Sequence, residues 1–307
     1  YDAGTSINSA DADGTVAIGY EALKVHTTGA RNMAIGYEAM HDTDAGSTSL
    51  GSSDNVFMGY QAGSGTWANA ASNYNVAVGN YTLNGSMNGA AFNTAIGFSA
   101  LSGITTGDYN TFVGGYAGQV MTTGGNNVAI GVNALLSHTT GNHNIAIGNN
   151  AMTDTNAGST SLGSEHNIFI GSTAGGGTWA DAASQYNIGI GNYSMDAALN
   201  GALNNTALGH YTLSSLTTGD SNVALGYAAG NSLTSGYSNV LIGRNAGASG
   251  TDMTNTVIIG MYAGDAINTN NSQGSVLIGY QAGTTMTAGV NTYIGYDAGR
   301  YSTTGAY

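Results

Sequence analysis

The sequence predicts an all-β chain: a parallel β-solenoid or β-roll of about 16 short coils. Three observations carry that expectation. Gly supplies 50 of the 307 residues and charged side chains only 7%, so helices would be broken roughly every sixth residue and no Glu/Lys-rich amphipathic face exists for a bundle. Hydrophobic residues make up 41%, enough for a core and against disorder, while zero Pro and an irregular Gly spacing exclude collagen. Above all, one short phrase recurs along the whole chain, and a period of this length marks a solenoid.

The phrase is Asn, three apolar or small residues, then Gly, as in Asn32-Met33-Ala34-Ile35-Gly36, Asn93-Thr94-Ala95-Ile96-Gly97 and Asn144-Ile145-Ala146-Ile147-Gly148. Its glycines fall at 19, 36, 59, 79, 97, 114, 131, 148, 171, 191, 209, 226, 243, 260, 279 and 295, giving 16 units most often 17 residues apart. The steps 23, 20, 18, 17, 17, 17 run from Gly36 to Gly148 and repeat from Gly148 to Gly260, a second period of 112 residues. Side chains follow it: Ala45–Ser52 matches Ala157–Ser164, and Thr66-Trp67 matches Thr178-Trp179. The expected organisation is therefore one elongated repeat domain, residues 1–307. Within it the block 36–147 is duplicated as 148–259, and divergent coils occupy 260–307. A fold that grows along one axis tolerates such duplication.

Each element of the unit has a physical reason. The three residues before the Gly read as a strand, whose first and third side chains share one face and whose middle side chain points to the other. The first and third are mostly Val, Ile or Leu, as a packed interior prefers. The middle one is Ala at 17, 34, 77, 95, 129, 146, 207 and 224, Phe at 57, 112 and 169, and otherwise Gly189, Leu241, Ile258, Leu277 or Tyr293. Both faces are thus apolar. The expectation is that first and third positions form the chain's own core, while the middle stripe, including Ala34 and Ala146, is a seam against sister chains. Cover from a second strand or loop of the same chain is the alternative. An exposed stripe of this length would aggregate.

Asn begins 13 of the 16 phrases, with Thr15, Thr256 and Ser275 in the others. Asn tolerates left-handed backbone, suits the corner before a strand, and would stack into an Asn ladder from coil to coil. Asn32, Asn93 and Asn144, with the turn or close-contact glycines Gly36, Gly97 and Gly148, are accordingly structural residues. Four residues after the anchor Gly, half the units carry Leu or Met and half carry Gly. The last five all carry Gly, which predicts a different cross-section near the C-terminus. Thr-Thr-Gly turns, as at Thr105-Thr106-Gly107 and Thr139-Thr140-Gly141, close several of the coils.

On these motifs the chain resembles two related repeat families over residues 15–299. Asn-Val-Ala-Ile-Gly followed by a small residue is similar to the head repeat of YadA-like trimeric autotransporter adhesins, a parallel β-roll. The longer form, with Ala-Leu and Thr-Thr-Gly before the next phrase, is similar to repeats of phage tail fibres. The dominant 17-residue step departs from the adhesin repeat of near 14 and favours the phage type. The resemblance implies a parallel homotrimer, an extracellular place on a virion tail fibre or a bacterial surface, and attachment to a host-surface glycan or protein. An adhesin head is the alternative reading. The chain opens at Tyr1 without a signal-like segment, which reads as a processed or excerpted piece.

The charge balance, 4 Lys+Arg against 17 Asp+Glu for a net of −13, opposes nucleic-acid binding and membrane insertion. Chemistry is sparse. Glu21 and Glu38 occupy the same register of adjacent coils and superficially fit a retaining glycosidase pair, but the duplicate units carry Asn133 and Asn150 instead. A glycan-degrading tailspike is therefore disfavoured, and no enzyme activity and no cofactor are expected. An ice-binding solenoid is disfavoured as well, since the Thr pairs are adjacent and lie in turns. His26 and His138 precede Thr-Thr-Gly and read as exposed loop residues rather than ligands. Asp42/Asp44 and Asp108 are calcium-type ligands by residue type, but the Gly-Gly-x-Gly-x-Asp pattern of calcium-binding β-rolls is missing, and no metal is assigned. The candidate binding residues are Trp67, Tyr74, Trp179 and Tyr186, on the bulges made by the longer steps. The aromatics there stack on sugars or anchor a partner, or else each Trp caps the core of its own coil, which the sequence favours.

Overall fold

The computed structural model describes residues 1–7, 13–43, 51–67, 69–155, 163–179, 182–267, 273–286 and 289–302. The chain divides into two compact units, Tyr1–Asn149 and Asn150–Tyr307. Each unit is a parallel β-solenoid in which every coil contributes one three-residue strand. The first carries β1 (Val16–Ile18), β2 (Met33–Ile35), β3 (Val56–Met58), β4 (Val76–Val78), β5 (Thr94–Ile96), β6 (Thr111–Val113), β7 (Val128–Ile130) and β8 (Ile145–Ile147). The second carries β9 (Ile168–Ile170), β10 (Ile188–Ile190), β11 (Thr206–Leu208), β12 (Val223–Leu225), β13 (Val240–Ile242), β14 (Val257–Ile259), β15 (Val276–Ile278) and β16 (Thr292–Ile294). Within each unit every strand pairs in parallel with its sequence neighbours, and the phrases stay in register: Thr94 lies opposite Thr111, Ala95 opposite Phe112, Ile96 opposite Val113. The extra half-phrase Ser47–Gly51 falls, except for Gly51, outside the described residues.

The strand faces are the reverse of the expected ones. Ala34, Phe57, Ala77, Ala95, Phe112, Ala129, Ala146, Phe169, Ala207, Leu241, Ile258 and Leu277 are fully buried within the single chain. The first and third residues of every strand are half-buried or exposed: Ile18, Ile96, Ile130, Leu208 and Leu225 are 40–57% exposed. The middle stripe is therefore the core, and Ala34 and Ala146 line no seam. Two further positions of the same coil cover it. One is four residues after the anchor Gly, as in Leu23, Met40 and Leu101. The other follows near the seventh or eighth, as in Trp67, Met87, Ile104, Met121 and Leu216.

This closure explains the alternation of Gly with Leu or Met. A coil with Ala or Gly at mid-strand carries Leu or Met six residues later: Ala34 with Met40, Ala77 with Leu83, Ala95 with Leu101, Gly189 with Met195. A coil with a large mid-strand residue carries Gly there: Phe57 with Gly63, Phe112 with Gly118, Leu277 with Gly283, Tyr293 with Gly299. A Cβ on Gly118 would overlap the Phe112 ring, and one on Gly283 would come within 2.8 Å of Leu277 Cδ2. Each level thus admits one large side chain from either of two places, as close packing requires. The exception, Ala224 with Gly230, is filled by Leu241 from the next coil and Leu213 from the previous one, both against Gly230. Four of the last five coils, those of Leu241, Ile258, Leu277 and Tyr293, each draw their large residue from the strand.

A swap follows. Phe112→Ala alone should cost about 3–5 kcal/mol through the cavity it leaves. Gly118→Leu alone should also destabilise, by overpacking. Together they should restore most of the loss, because Gly118 has φ 58° and Leu101 and Leu135 hold the same position of adjacent coils at φ 52° and 53°. A double-mutant cycle by denaturant unfolding measures this; additive losses would contradict the exchange.

Candidate recognition surface

The residues before each strand are organised by the Asn ladder. Asn110 Nδ2 donates to Asn93 Oδ1 at 3.0 Å and to the Gly124 carbonyl at 2.9 Å. Its Oδ1 accepts from the backbone N–H of Asn127 at 3.0 Å and from Asn127 Nδ2 at 3.2 Å. The same pattern joins Asn32, Asn55, Asn75, Asn93, Asn110, Asn127 and Asn144 in the first unit. In the second it joins Asn167, Asn187, Asn205, Asn222 and Asn239, whose Oδ1 then accepts from the N–H of Thr256. These Asn are buried. The left-handed corner lies one residue earlier than expected: Arg31, Asp54, Tyr74, Phe92 and Tyr109 have φ between 55° and 61°, whereas the ladder Asn do not. At the other end of the strand, Gly36, Gly97 and Gly148 have φ of 138°, 131° and 138°, a backbone that L side chains do not adopt without strain.

Trp67 and Trp179 are fully buried, so neither indole is presented to a ligand. Trp67 packs on Phe57 with centroids 5.7 Å apart, and Trp179 on Phe169 at the same distance. Each longer coil is folded back over its own core, pinned where Thr66 Oγ1 donates to Asp42 Oδ2 and Thr178 Oγ1 to Asp154 Oδ2, both at 2.8 Å. Tyr74 and Tyr186 are half exposed, at 50% and 51%, and stack on Phe92 and His166.

His26 and His138 are buried, not exposed. The position before Thr-Thr-Gly is an inward one, as Ile104, Met121 and Leu216 at the same place make plain in the sequence. Asn144 Nδ2 lies 3.2 Å from His138 Nε2, and burial holds the His138 pKa down to about 4, so the ring is neutral near pH 7. Glu21 contacts Lys24 Nζ at 2.7 Å and His41 Nε2 at 3.1 Å, and the Lys24 hydrogen bond holds its carboxyl below the usual range. Glu38 Oε2 accepts from Gln61 Nε2 at 2.6 Å. Asp108 Oδ1 accepts from the N–H of Ala91 at 2.7 Å, tying one coil to the next, and Asp44 lies outside the described residues.

Two surfaces remain. The outward sheet positions, first and third in all 16 strands, are Val, Ile, Leu, Met or Thr, without one ionisable group in a chain of net charge −13. In each unit this face is a strip about 34 Å long and about 10 Å wide, at 4.8 Å per strand and 3.3 Å per residue. The second surface is a column of aromatics at the corner after the anchor Gly, which sequence reasoning missed. Tyr20, Tyr37, Tyr60, Tyr81, Phe98 and Tyr116 supply one ring from each of six consecutive coils, with centroids 5.0–5.6 Å apart. The rings come from either of two places, one or two residues after the Gly. Neighbours from the same place lie parallel: Tyr20–Tyr37, Tyr37–Tyr60, Tyr193–Tyr211 and Tyr280–Tyr296 are within 4–17°. Neighbours from different places cross: Tyr60–Tyr81, Tyr81–Phe98, Phe98–Tyr116 and Tyr211–Tyr227 stand at 68–78°.

No protein-family model, curated protein or solved structure matches this chain.

Proposed function

We propose that the chain is a structural and adhesive fibre segment: a parallel homotrimer of solenoids, most simply a phage tail-fibre shaft or head that presents corners and loops to a host surface. The observation that carries this is the uncharged outward face of the strands. An exposed apolar strip of this size marks an interaction surface. Sister copies are its natural occupant, because two chains of net charge −13 approach each other only where charge is absent. The seam thus lies on the first and third strand positions. Parallel stacking of like coils lets it run the length of each unit. The phage assignment rests on the 17-residue phrase, and the adhesin head remains the alternative. A non-enzymatic role is supported by the engagement of Glu21 and Glu38 with Lys24, His41 and Gln61.

The test is the mass of the intact assembly. Three times the 30.7 kDa chain mass is expected, with Ile96→Asp, in the middle of the strip, giving a folded single chain. A wild-type particle of one chain mass would overturn the reading.

A further inference from the structure

We infer that the corner column of the first unit, from Tyr60 through Tyr81 and Phe98 to Tyr116, is a binding track for an extended, neutral, β-1,4-linked polysaccharide. The argument begins with what each ring face meets. In the parallel stretch Tyr20–Tyr37–Tyr60 the faces cover one another. From Tyr81 to Tyr116 no ring has a parallel neighbour, since successive planes stand 71°, 78° and 68° apart, so faces there meet only ring edges. Tyr116 and Phe98 are 40% and 44% exposed, and Tyr81 is half-buried. Aromatic rings without a parallel-stacked cover on a half-exposed corner are the groups that pyranose C–H surfaces pack against.

Spacing selects the ligand. Tyr81 and Tyr116 both sit two residues after their glycines, while Tyr60 and Phe98 sit one residue after, so equivalent rings recur every second coil. Two coils span about 10 Å. A β-1,4 chain of pyranoses turns over at each residue and presents the same ring face every second sugar, a repeat of the same length. Charge selects further: Glu38 lies beside Tyr60, and the net charge of −13 repels polyanions, so the fitting chain is neutral. In the duplicated block three of the four matching corners carry an aromatic, Tyr193, Tyr211 and Tyr227, at a different place in two of them, and the fourth carries Ser172-Thr173. This inference adds a ligand class to the fibre reading and needs from it only that the corner lie outside the seam between copies.

The test is titration of the full chain with cellohexaose, followed by calorimetry, with a hexameric polyuronate as the anionic control. Cellohexaose should bind and the polyuronate should not. Tyr81→Ala with Tyr116→Ala should weaken cellohexaose at least tenfold, Tyr81→Phe with Tyr116→Phe should retain it, and Tyr20→Ala should leave it unchanged. The Phe pair keeps both ring faces, so it separates lost stacking from lost folding. No binding of cellohexaose, or equal affinity in the Ala pair, would overturn the inference. Masses of the same samples keep the two readings apart: a one-chain particle that binds cellohexaose ends the fibre reading alone, and a trimer that does not bind ends the track alone.

Discussion

Gly114→Ala should abolish the cooperative unfolding transition of the first unit, or lower it by more than about 4 kcal/mol, among the largest losses a single substitution gives. Gly114 has φ 143°, and a Cβ there would overlap the Gly131 carbonyl of the next coil. Neither problem has a local remedy. The next coil cannot retreat, because Gly131 N–H donates to Val113 at 2.8 Å and the strands on both sides hold the same register. For a unit of this size the loss corresponds to roughly 10 °C or more in Tm. Gly115→Ala is the control: nothing lies within 4 Å of its Cβ and its φ is not left-handed, so the melt should stay within a few degrees. Equal melting of the two variants would contradict the close stacking of anchor glycines.

The second large effect is at the ladder. Asn110→Asp keeps the shape but replaces the amide with a carboxylate oxygen facing Asn93 Oδ1 and the Gly124 carbonyl; the carbonyl loses its donor, and Asn93 Oδ1 keeps only the Asn110 N–H. Each buried group left without its partner costs about 1–3 kcal/mol, and the charge adds desolvation. The expected loss at pH 7 is several kcal/mol. The sign of its pH dependence is fixed. Burial among acceptors raises the folded pKa of the new carboxyl above its unfolded value, so part of the stability returns as pH falls and the protonated oxygen donates again. Melting Asn110→Asp at pH 7 and pH 4.5 against wild type reads this directly. A variant that melts like wild type at pH 7 would show that the ladder contributes nothing. Thr256 and Ser275 show how the pattern ends without Asn. Thr256 N–H still donates to Asn239 Oδ1, while Ser275 Oγ accepts from Asn291 N–H and donates to Gly289.

The repeat period, the three-residue strands and the stacked Asn were legible in the sequence because each depends on spacing alone. The inside of the coil was not. Alternation along a strand separates two faces but does not say which is inner, and here both columns are apolar. Size suggested that Ala34 and Ala146 allow chains to approach, yet their smallness answers Met40 and Met152 across the same core. That compensation is visible in the sequence once mid-strand residues are read beside the residues six places on. His26 and His138 misled for a related reason: a polar residue before a Thr-Thr-Gly turn reads as loop, although Ile104, Met121 and Leu216 share the position. Trp67 reads as recognition or as cap from sequence, and only packing on Phe57 decides. The aromatic corner escaped notice because its rings alternate between two sequence positions and so never align as one column.

The central claim is that the mid-strand column is core and the flanking columns are the seam. Because the chain has no Cys, thiol labelling of three single variants in β7 tests it: Val128→Cys, Ala129→Cys and Ile130→Cys. In the native assembly all three should react slowly. When Ile96→Asp separates the copies, the variants at 128 and 130 should label at the rate of exposed thiols, while the one at 129 stays inert until the chain unfolds. Rapid labelling at 129 in the folded chain, or at 128 and 130 in the intact assembly, would contradict the account.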